Sequence, residues 1–264
     1  MARLTEWIAV GKTVARVTHE SDIRYVATAL AYYAFISFVP LLVLVVAGVG
    51  WQFADRVSAS PAQFLTPETQ DLIYESLTTA SGRTLAVALS VVVLAWGGAN
   101  VAVGFLTVVE RIEATPERPL SGQIRDATVV LGTLAIAILA ILLQSLVLAF
   151  FAPGVVGTIA GFALLLIVLT LTFLPLYYAP SQVIDSVRGA FPGAFTTACS
   201  WTVLHAIIQF YAVNAAQYAV YGVLSGVIII LTNTYIAAVF LMMGIVVNAA
   251  LATDPDELRD RVSE

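Results

Sequence analysis

Charge is scarce in this 264-residue chain, in which Asp, Glu, Lys and Arg together make up 11% of the residues. Soluble domains carry about 25% charged residues. No charged residue lies between Asp126 and Asp185, or between Arg188 and Asp254. Each of these runs has room for two membrane spans of about 20 residues. Because hydrophobic residues reach 60%, the chain is predicted to be an all-α, polytopic bundle whose main partner is the lipid bilayer.

Residues that form disulfides or bind metals are almost absent. Cys199 is the only cysteine, which excludes an internal disulfide framework, and His19 and His205 are the only histidines. A catalytic zinc site needs three protein ligands and an open position. The chain also lacks a G-x-S-x-G elbow, a P-loop and a glycine-rich dinucleotide loop. We therefore predict no metal, no cofactor and no enzymatic activity.

Hydropathy divides the chain into three predicted segments. Residues 1–25 form a cytoplasmic segment in which 3–20 have the one-sided pattern of an amphipathic helix, lying in the membrane interface or packed on other loops. Residues 26–251 form a domain of about six transmembrane helices, and residues 252–264 form an acidic cytoplasmic tail. The predicted spans are about 27–53, 84–109, 127–151, 157–178, 190–211 and 222–251. A short amphipathic helix is predicted at 66–80, over the mouth of the bundle.

The distribution of arginine and lysine predicts the orientation. With six spans both termini share one side, and that side holds Arg3, Lys12, Arg16, Arg24, Arg111, Arg118, Arg125, Arg188, Arg259 and Arg261. The other side holds only Arg56 and Arg83. Cytoplasmic loops carry the excess of these cations, so both termini are predicted to be cytoplasmic. The net charge of −5 leaves no basic surface for a nucleic acid.

Small residues four apart predict close helix contacts. They occur as Gly157-x-x-x-Gly161, Gly189-x-x-x-Gly193 and Gly222-x-x-x-Gly226. Lipid offers no hydrophobic drive for helix association, so close backbone approach is used instead. The pattern is common in membrane helices. It therefore favours a compact bundle, and it permits a homo-oligomer without requiring one.

Polar residues inside the spans are the candidate functional groups. The first span holds Tyr32, Tyr33, Ser37 and Pro40, and Pro40 leaves the carbonyl of Ile36 without its usual donor. That carbonyl either meets a ligand or is satisfied within the protein. Asn100, Asn233 and Asn248 also lie within spans. Because an unpaired amide in hydrocarbon is costly, we predict a polar centre at which the first, second and sixth spans meet. Its residues are Tyr32, Tyr33, Ser37, Pro40, Asn100 and Asn233.

The same residues are open to a purely structural interpretation, in which the amides only hold the helices together. His205 is the one intramembrane side chain that ordinarily titrates near neutrality. A proton relay normally needs intramembrane acids, and none lies within a predicted span. The role of His205 is therefore left open.

Several segments resemble the YihY/BrkB family. They are the run from Leu30 to Leu41, LAYYAFISFVPL, the stretch around Trp96, the segment from Leu176 to Pro180, the stretch at Gly189, and the run from Tyr218 to Gly222. The end of the sixth span, from Gly244 to Ala249, is similar to the family's Gly-Ala-Glu-Leu-Asn-Ala, with Val246 in place of the glutamate. Further motif residues are Pro175, Tyr177, Pro180, Tyr221, Gly222 and Asn248.

The resemblance implies a multi-pass protein of the cell membrane with about six spans and no settled activity. It suggests a transporter, or a protein of lipid or envelope handling, with an unidentified substrate. The alternative is a structural or scaffolding membrane protein. A ribonuclease label once given to the family finds no support in the residues. A cavity lined by Tyr33, Ser37, Asn100 and Asn233 would favour transport, whereas a dry, tightly packed bundle would favour a scaffold.

Overall fold

The computed structural model describes residues 23–49, 80–151, 154–213 and 223–253, and within these ranges every regular element is an α-helix. The six helices are α1 (Ile23–Val49), α2 (Ala80–Glu113), α3 (Leu120–Phe151), α4 (Val155–Tyr178), α5 (Val187–Val213) and α6 (Val223–Ala252). The predicted all-α helical bundle is therefore confirmed. Predictions for 3–20, most of 66–80, Tyr221, Gly222 and the tail from 254 onward lie outside the described residues.

Four helical stretches are long and apolar enough to cross a membrane, namely Thr84–Glu113, Leu120–Leu148, Val155–Tyr178 and Gly226–Ala252. Ile23–Phe38 is a shorter apolar helix. The α5 helix is not among these stretches, because it carries hydroxyls, His205 and Gln209 on an otherwise apolar sequence. It supplies Thr197, His205 and Gln209, whose contacts are described below.

Helix ends follow local backbone chemistry. At the end of α2, Ala114 has a φ of 50°, the left-handed conformation of a helix C-terminus, and the N–H of Thr115 donates to the Glu110 carbonyl at 3.1 Å. Between α3 and α4, Gly154 has a φ of 108°. An L side chain rarely adopts that conformation, so glycine suits this tight turn.

The helices form a ring in chain order. Each helix contacts the next one along the chain, α6 closes the ring against α1, and α6 also packs on α2. Glycines shape these contacts, because a Cβ at Gly104 would lie 2.6 Å from Leu30 Cδ1 and one at Gly97 would lie 2.3 Å from Ser37 Oγ. The α1 and α2 backbones thus approach closely, as small residues allow in membrane bundles.

The α5–α6 contact is the closest of these approaches. A Cβ at Gly193 would lie 2.3 Å from the Gly244 carbonyl oxygen and 2.6 Å from Asn248 Nδ2. Of the predicted Gly189–Gly193 pair, Gly189 is exposed and meets only Ile184 and Ser186 at that range. One glycine of the pair, rather than both, therefore makes the helix contact.

The predicted cytoplasmic termini can be tested by cysteine labelling in whole cells. In a Cys199→Ser background, we expect Ser60→Cys to react with a membrane-impermeant thiol reagent, because residue 60 falls in the predicted external connection. We expect Ser263→Cys to react only after the cells are permeabilised. The reverse pattern would overturn the orientation inferred from the arginine distribution.

Candidate functional site

A cavity of about 470 Å³ lies between five of the six helices. Its wall is mostly aliphatic. It is lined by Leu30, Ala34 and Phe38 of α1, Val101 of α2, Leu134, Ile138, Ile141 and Leu142 of α3, Trp201, Leu204, His205 and Ile208 of α5, and Asn233, Thr234, Ala237, Ala238 and Leu241 of α6. These residues fall near the middle of their helices, so the cavity lies at membrane depth. Its lining contains no Asp, Glu, Lys or Arg.

A cluster of polar side chains between α3 and α5 reaches the cavity through His205. His205 Nε2 lies 2.8 Å from Gln144 Oε1, 3.0 Å from Gln209 Nε2 and 3.3 Å from Ser145 Oγ. An imidazole nitrogen that carries a hydrogen can donate to the Gln144 carbonyl, whereas one without a hydrogen can accept from the Gln209 amide. The surrounding groups therefore satisfy Nε2 of His205 in either tautomer without an ionised partner.

Most of the predicted polar centre is satisfied within single helices. Ser37 Oγ donates to the Tyr33 carbonyl at 2.8 Å, and Asn100 Nδ2 donates to the Trp96 carbonyl at 2.7 Å. Neither residue lines the cavity, nor does Tyr33. Among the described residues, no contact joins Ser37, Asn100 and Asn233 into one site.

Asn233 differs from the other residues of that predicted centre. It lines the cavity, and its Oδ1 is buried without a hydrogen-bond partner among the described residues. Tyr32, in contrast, is 53% exposed on the outer surface. Pro40 lies inside α1. A functional role for the six residues as a group remains a prediction, and Asn233 is the member that the geometry brings to the cavity.

Two of the family-motif residues hold helices together. The Tyr177 hydroxyl lies 2.6 Å from Thr197 Oγ1 and donates to the Leu241 carbonyl at 2.9 Å, so it joins α4, α5 and α6. Asn248 accepts from the Gly193 N–H at 2.6 Å and donates to the Ala190 carbonyl at 3.3 Å. Val246, at the position of the family glutamate, is fully buried. The space for that carboxylate is occupied here by an apolar core side chain.

The remaining motif residues lie at helix surfaces and ends. Trp96 is 51% exposed and makes an edge contact with Tyr33, with ring centroids 5.2 Å apart. Pro175 lies inside α4, and its carbonyl accepts from the Ala179 N–H at 3.0 Å. Pro180 is buried directly after that helix. These positions shape the bundle and do not line the cavity.

A buried polar network joins the α2–α3 loop to the α4–α5 loop. Arg118 donates to Asp126 Oδ2 at 2.8 Å, to the Ser181 carbonyl at 2.9 Å and to the Ala179 carbonyl at 3.3 Å. Glu113 accepts from Ser181 Oγ and, at 2.8 Å, from the Gln182 N–H. We call these four side chains, Glu113, Arg118, Asp126 and Ser181, the loop network. They fix one end of the bundle.

Sequence reasoning missed both the His205 cluster and the loop network. His205 stood out as a polar group within a span, but it was considered without partners, and Gln144 was not considered with it. The i, i+4 spacing of His205 and Gln209 places both on one helix face, and that signal was available in the sequence. For the loop network, the sequence shows that residues 110–126 are rich in charge. It does not show that these charges have partners in the α4–α5 loop.

One of the comparisons with known proteins gives a match. The family model described as Virulence factor BrkB matches residues 14–263. No curated protein and no solved structure matches the chain. Within the described residues, no group of three or more His, Cys, Asp or Glu side chains is arranged to hold a metal ion.

Proposed function

Since the chain belongs to the BrkB family, we propose that this integral membrane protein is a transporter of the cell membrane whose cargo is a lipid or another amphipathic molecule. On this proposal the protein binds and moves its cargo and catalyses no covalent reaction. The cavity at membrane depth is the observation that carries the proposal. The family match supports the membrane setting, and the cargo class is inferred from the cavity wall.

The size of the cavity supports a ligand-binding role. Close-packed protein interiors contain few voids larger than a water molecule, whereas ligand pockets span roughly 300–1,000 Å³. The cavity, at about 470 Å³, falls in the second range. Contributions from five helices also mean that small shifts between helices would change its shape. A space of this size supports a binding role better than it supports a fully packed scaffold.

The wall chemistry supports an amphipathic cargo. Aliphatic side chains form most of the lining, and the polar groups His205, Asn233 and Thr234 come from α5 and α6. An ion or a highly charged metabolite would lose its hydration in such a place without compensating partners. An acyl chain would meet the aliphatic wall, and a polar head would meet the α5–α6 side.

A scaffolding role is the second candidate, and the α5–α6 contact favours it. Tyr177, Thr197, Gly193 and Asn248 tie α4, α5 and α6 into one closely packed unit. Such a unit resists relative motion. Motion on the transport proposal would then involve α1, α2 and α3 against this unit, since these helices supply the opposite wall of the cavity.

Filling the cavity tests the transport proposal. In liposomes containing the purified protein and a fluorescent lipid with an uncharged polar head, we expect Leu204→Trp to slow transbilayer movement of the probe severalfold, because residue 204 lines the cavity. Val203→Trp is the matched control, since Val203 is the adjacent residue and is 60% exposed on the outer surface. Thermal unfolding in detergent should show both variants folded, with overpacking costing at most about 1–3 kcal/mol.

Equal rates for the wild type, both variants and protein-free liposomes would contradict transport of this lipid class. Slowing by Val203→Trp as strong as that by Leu204→Trp would also contradict it. The lipid would then not move through the cavity, and the scaffolding role would be favoured.

A further inference from the structure

We propose, resting on the transport function above, that the cavity selects a neutral lipid with a free hydroxyl head, of the diacylglycerol class, and that the Asn233 amide recognises that hydroxyl. The observation behind this inference is an amide held at the cavity wall without a partner. A neutral head is inferred from the charge of the wall, and an acyl body from its aliphatic residues.

The Asn233 amide has a hydrogen-bonding capacity that its neighbours do not use. Its Oδ1 is buried and makes no hydrogen bond among the described residues. The adjacent polar groups are already engaged, because Thr234 Oγ1 donates to the Ile230 carbonyl and Trp201 Nε1 donates to the Ala237 carbonyl at 3.1 Å. A buried polar group is nearly always paired in a native protein. Because Oδ1 has almost no accessible surface of its own, a small rotation of the amide would bring it to the cavity, where a donor from a bound molecule would supply the missing partner.

His205 offers a second polar contact on α5, which packs beside α6. Its Nε2 is surrounded by Gln144, Ser145 and Gln209, and its ring lines the cavity. Among the described residues, no hydrogen bond uses Nδ1. An imidazole nitrogen and an amide on neighbouring helices suit a hydroxyl, since a hydroxyl both donates and accepts.

The wall has no counter-charge for a phosphate. Its lining holds no Lys or Arg, and the side chains that surround His205 are two amides and a hydroxyl. A phosphate head would have to shed its hydration without a cation to replace it. A glycerol hydroxyl needs only neutral hydrogen-bonding partners, and the wall contains such groups. The lining from Leu30, Phe38, Leu134 and Ile138 would accommodate acyl chain beside that head.

Asn233→Leu tests this inference by removing the amide while keeping the size of the side chain. In lipid nanodiscs, we expect the variant to bind dioleoylglycerol about tenfold more weakly than the wild type, the loss that one hydrogen bond brings. Asn100→Leu is the matched control, because Asn100 is also an intramembrane amide but donates to its own helix at the Trp96 carbonyl. We expect its affinity for dioleoylglycerol to stay at the wild-type value.

Two further lipids separate recognition of the hydroxyl from general lipid binding. The methyl ether of dioleoylglycerol lacks the donor, and we expect it to bind wild type and Asn233→Leu equally weakly. Dioleoylphosphatidylglycerol has the same chains and an anionic phosphate, and we expect it to bind more weakly than dioleoylglycerol. Unchanged dioleoylglycerol affinity in a folded Asn233→Leu protein would overturn the inference. So would tighter, Asn233-dependent binding of the anionic lipid.

Failure of this inference is distinguishable from failure of the transport proposal. If Leu204→Trp slows lipid movement while Asn233→Leu leaves dioleoylglycerol binding unchanged, the protein is a transporter with another selectivity, and the inference is wrong. If dioleoylglycerol binds in an Asn233-dependent way but no lipid crosses the liposome bilayer, the recognition site stands and the transport proposal is wrong.

Discussion

Gly193→Ala is expected to lower the free energy of unfolding by about 3 kcal/mol or more. The new Cβ would lie 2.3 Å from the Gly244 carbonyl oxygen, which belongs to the backbone and cannot rotate away. Overpacking alone costs about 1–3 kcal/mol. Moving α5 away from α6 would also break the buried hydrogen bond from the Gly193 N–H to Asn248 Oδ1 at 2.6 Å.

Gly132→Ala is the matched control for this substitution. Gly132 lies inside α3, and a Cβ there would meet nothing within 4 Å. Because alanine is favoured over glycine in a helix interior by about 0.5–1 kcal/mol, we expect this variant to be at least as stable as the wild type. Unfolding of the purified proteins by heat, followed by circular dichroism in detergent, measures both. Equal melting temperatures for the two variants would contradict the close α5–α6 contact.

Arg118→Ala is expected to lower the free energy of unfolding by about 3 kcal/mol. The guanidinium pairs with Asp126, whose side chain is only 3% exposed, and it also binds the Ser181 and Ala179 carbonyls. Removing one partner of a buried pair costs about 3–5 kcal/mol, because the remaining charge is left uncompensated. The lower figure is expected here, since the Arg118 side chain is itself 22% exposed and water can enter.

Arg125→Ala and a double variant make this result interpretable. Arg125 lies one residue before Asp126 and is exposed. Arg125→Ala therefore removes a positive charge, as Arg118→Ala does, but we expect little loss of stability. Adding Asp126→Asn to Arg118→Ala removes the stranded charge and should restore part of the lost stability. Equal stability of Arg118→Ala and Arg125→Ala would show that the loop network does not hold this end of the bundle.

The helices were predictable from sequence because each one is marked by an uncharged apolar run within its own segment. A long run without charge is visible whatever its partner, and the six helices follow from such runs. The observed helix bounds differ from the predicted spans where a helix continues through charged residues. For example, α3 begins at Leu120 and includes Arg125 and Asp126, because a membrane helix can extend beyond the hydrocarbon and carry its charges into the interface.

The polar contacts were not predictable in the same way. The cost of an unpaired amide led to the expectation that Asn100 and Asn233 would meet. Asn100 instead reaches back one turn to the Trp96 carbonyl, a local solution that needs no second helix. Pairing Gln144 with His205 depends on how α3 and α5 are rotated about their own axes. Both helices are apolar on most sides, so hydropathy does not fix that rotation.

The ring order of the helices has a consequence for synthesis of the protein. Neighbours in the sequence are neighbours in space from α1 through α6, so each helix can find its partner as it leaves the ribosome and enters the membrane. The main packing contacts between helices distant in the sequence are those of α6 with α1 and α2, beside single hydrogen bonds such as that between Gln144 of α3 and His205 of α5. Asn233 and the rest of the α6 wall thus arrive last, and until then the unfinished chamber lies open to the surrounding lipid.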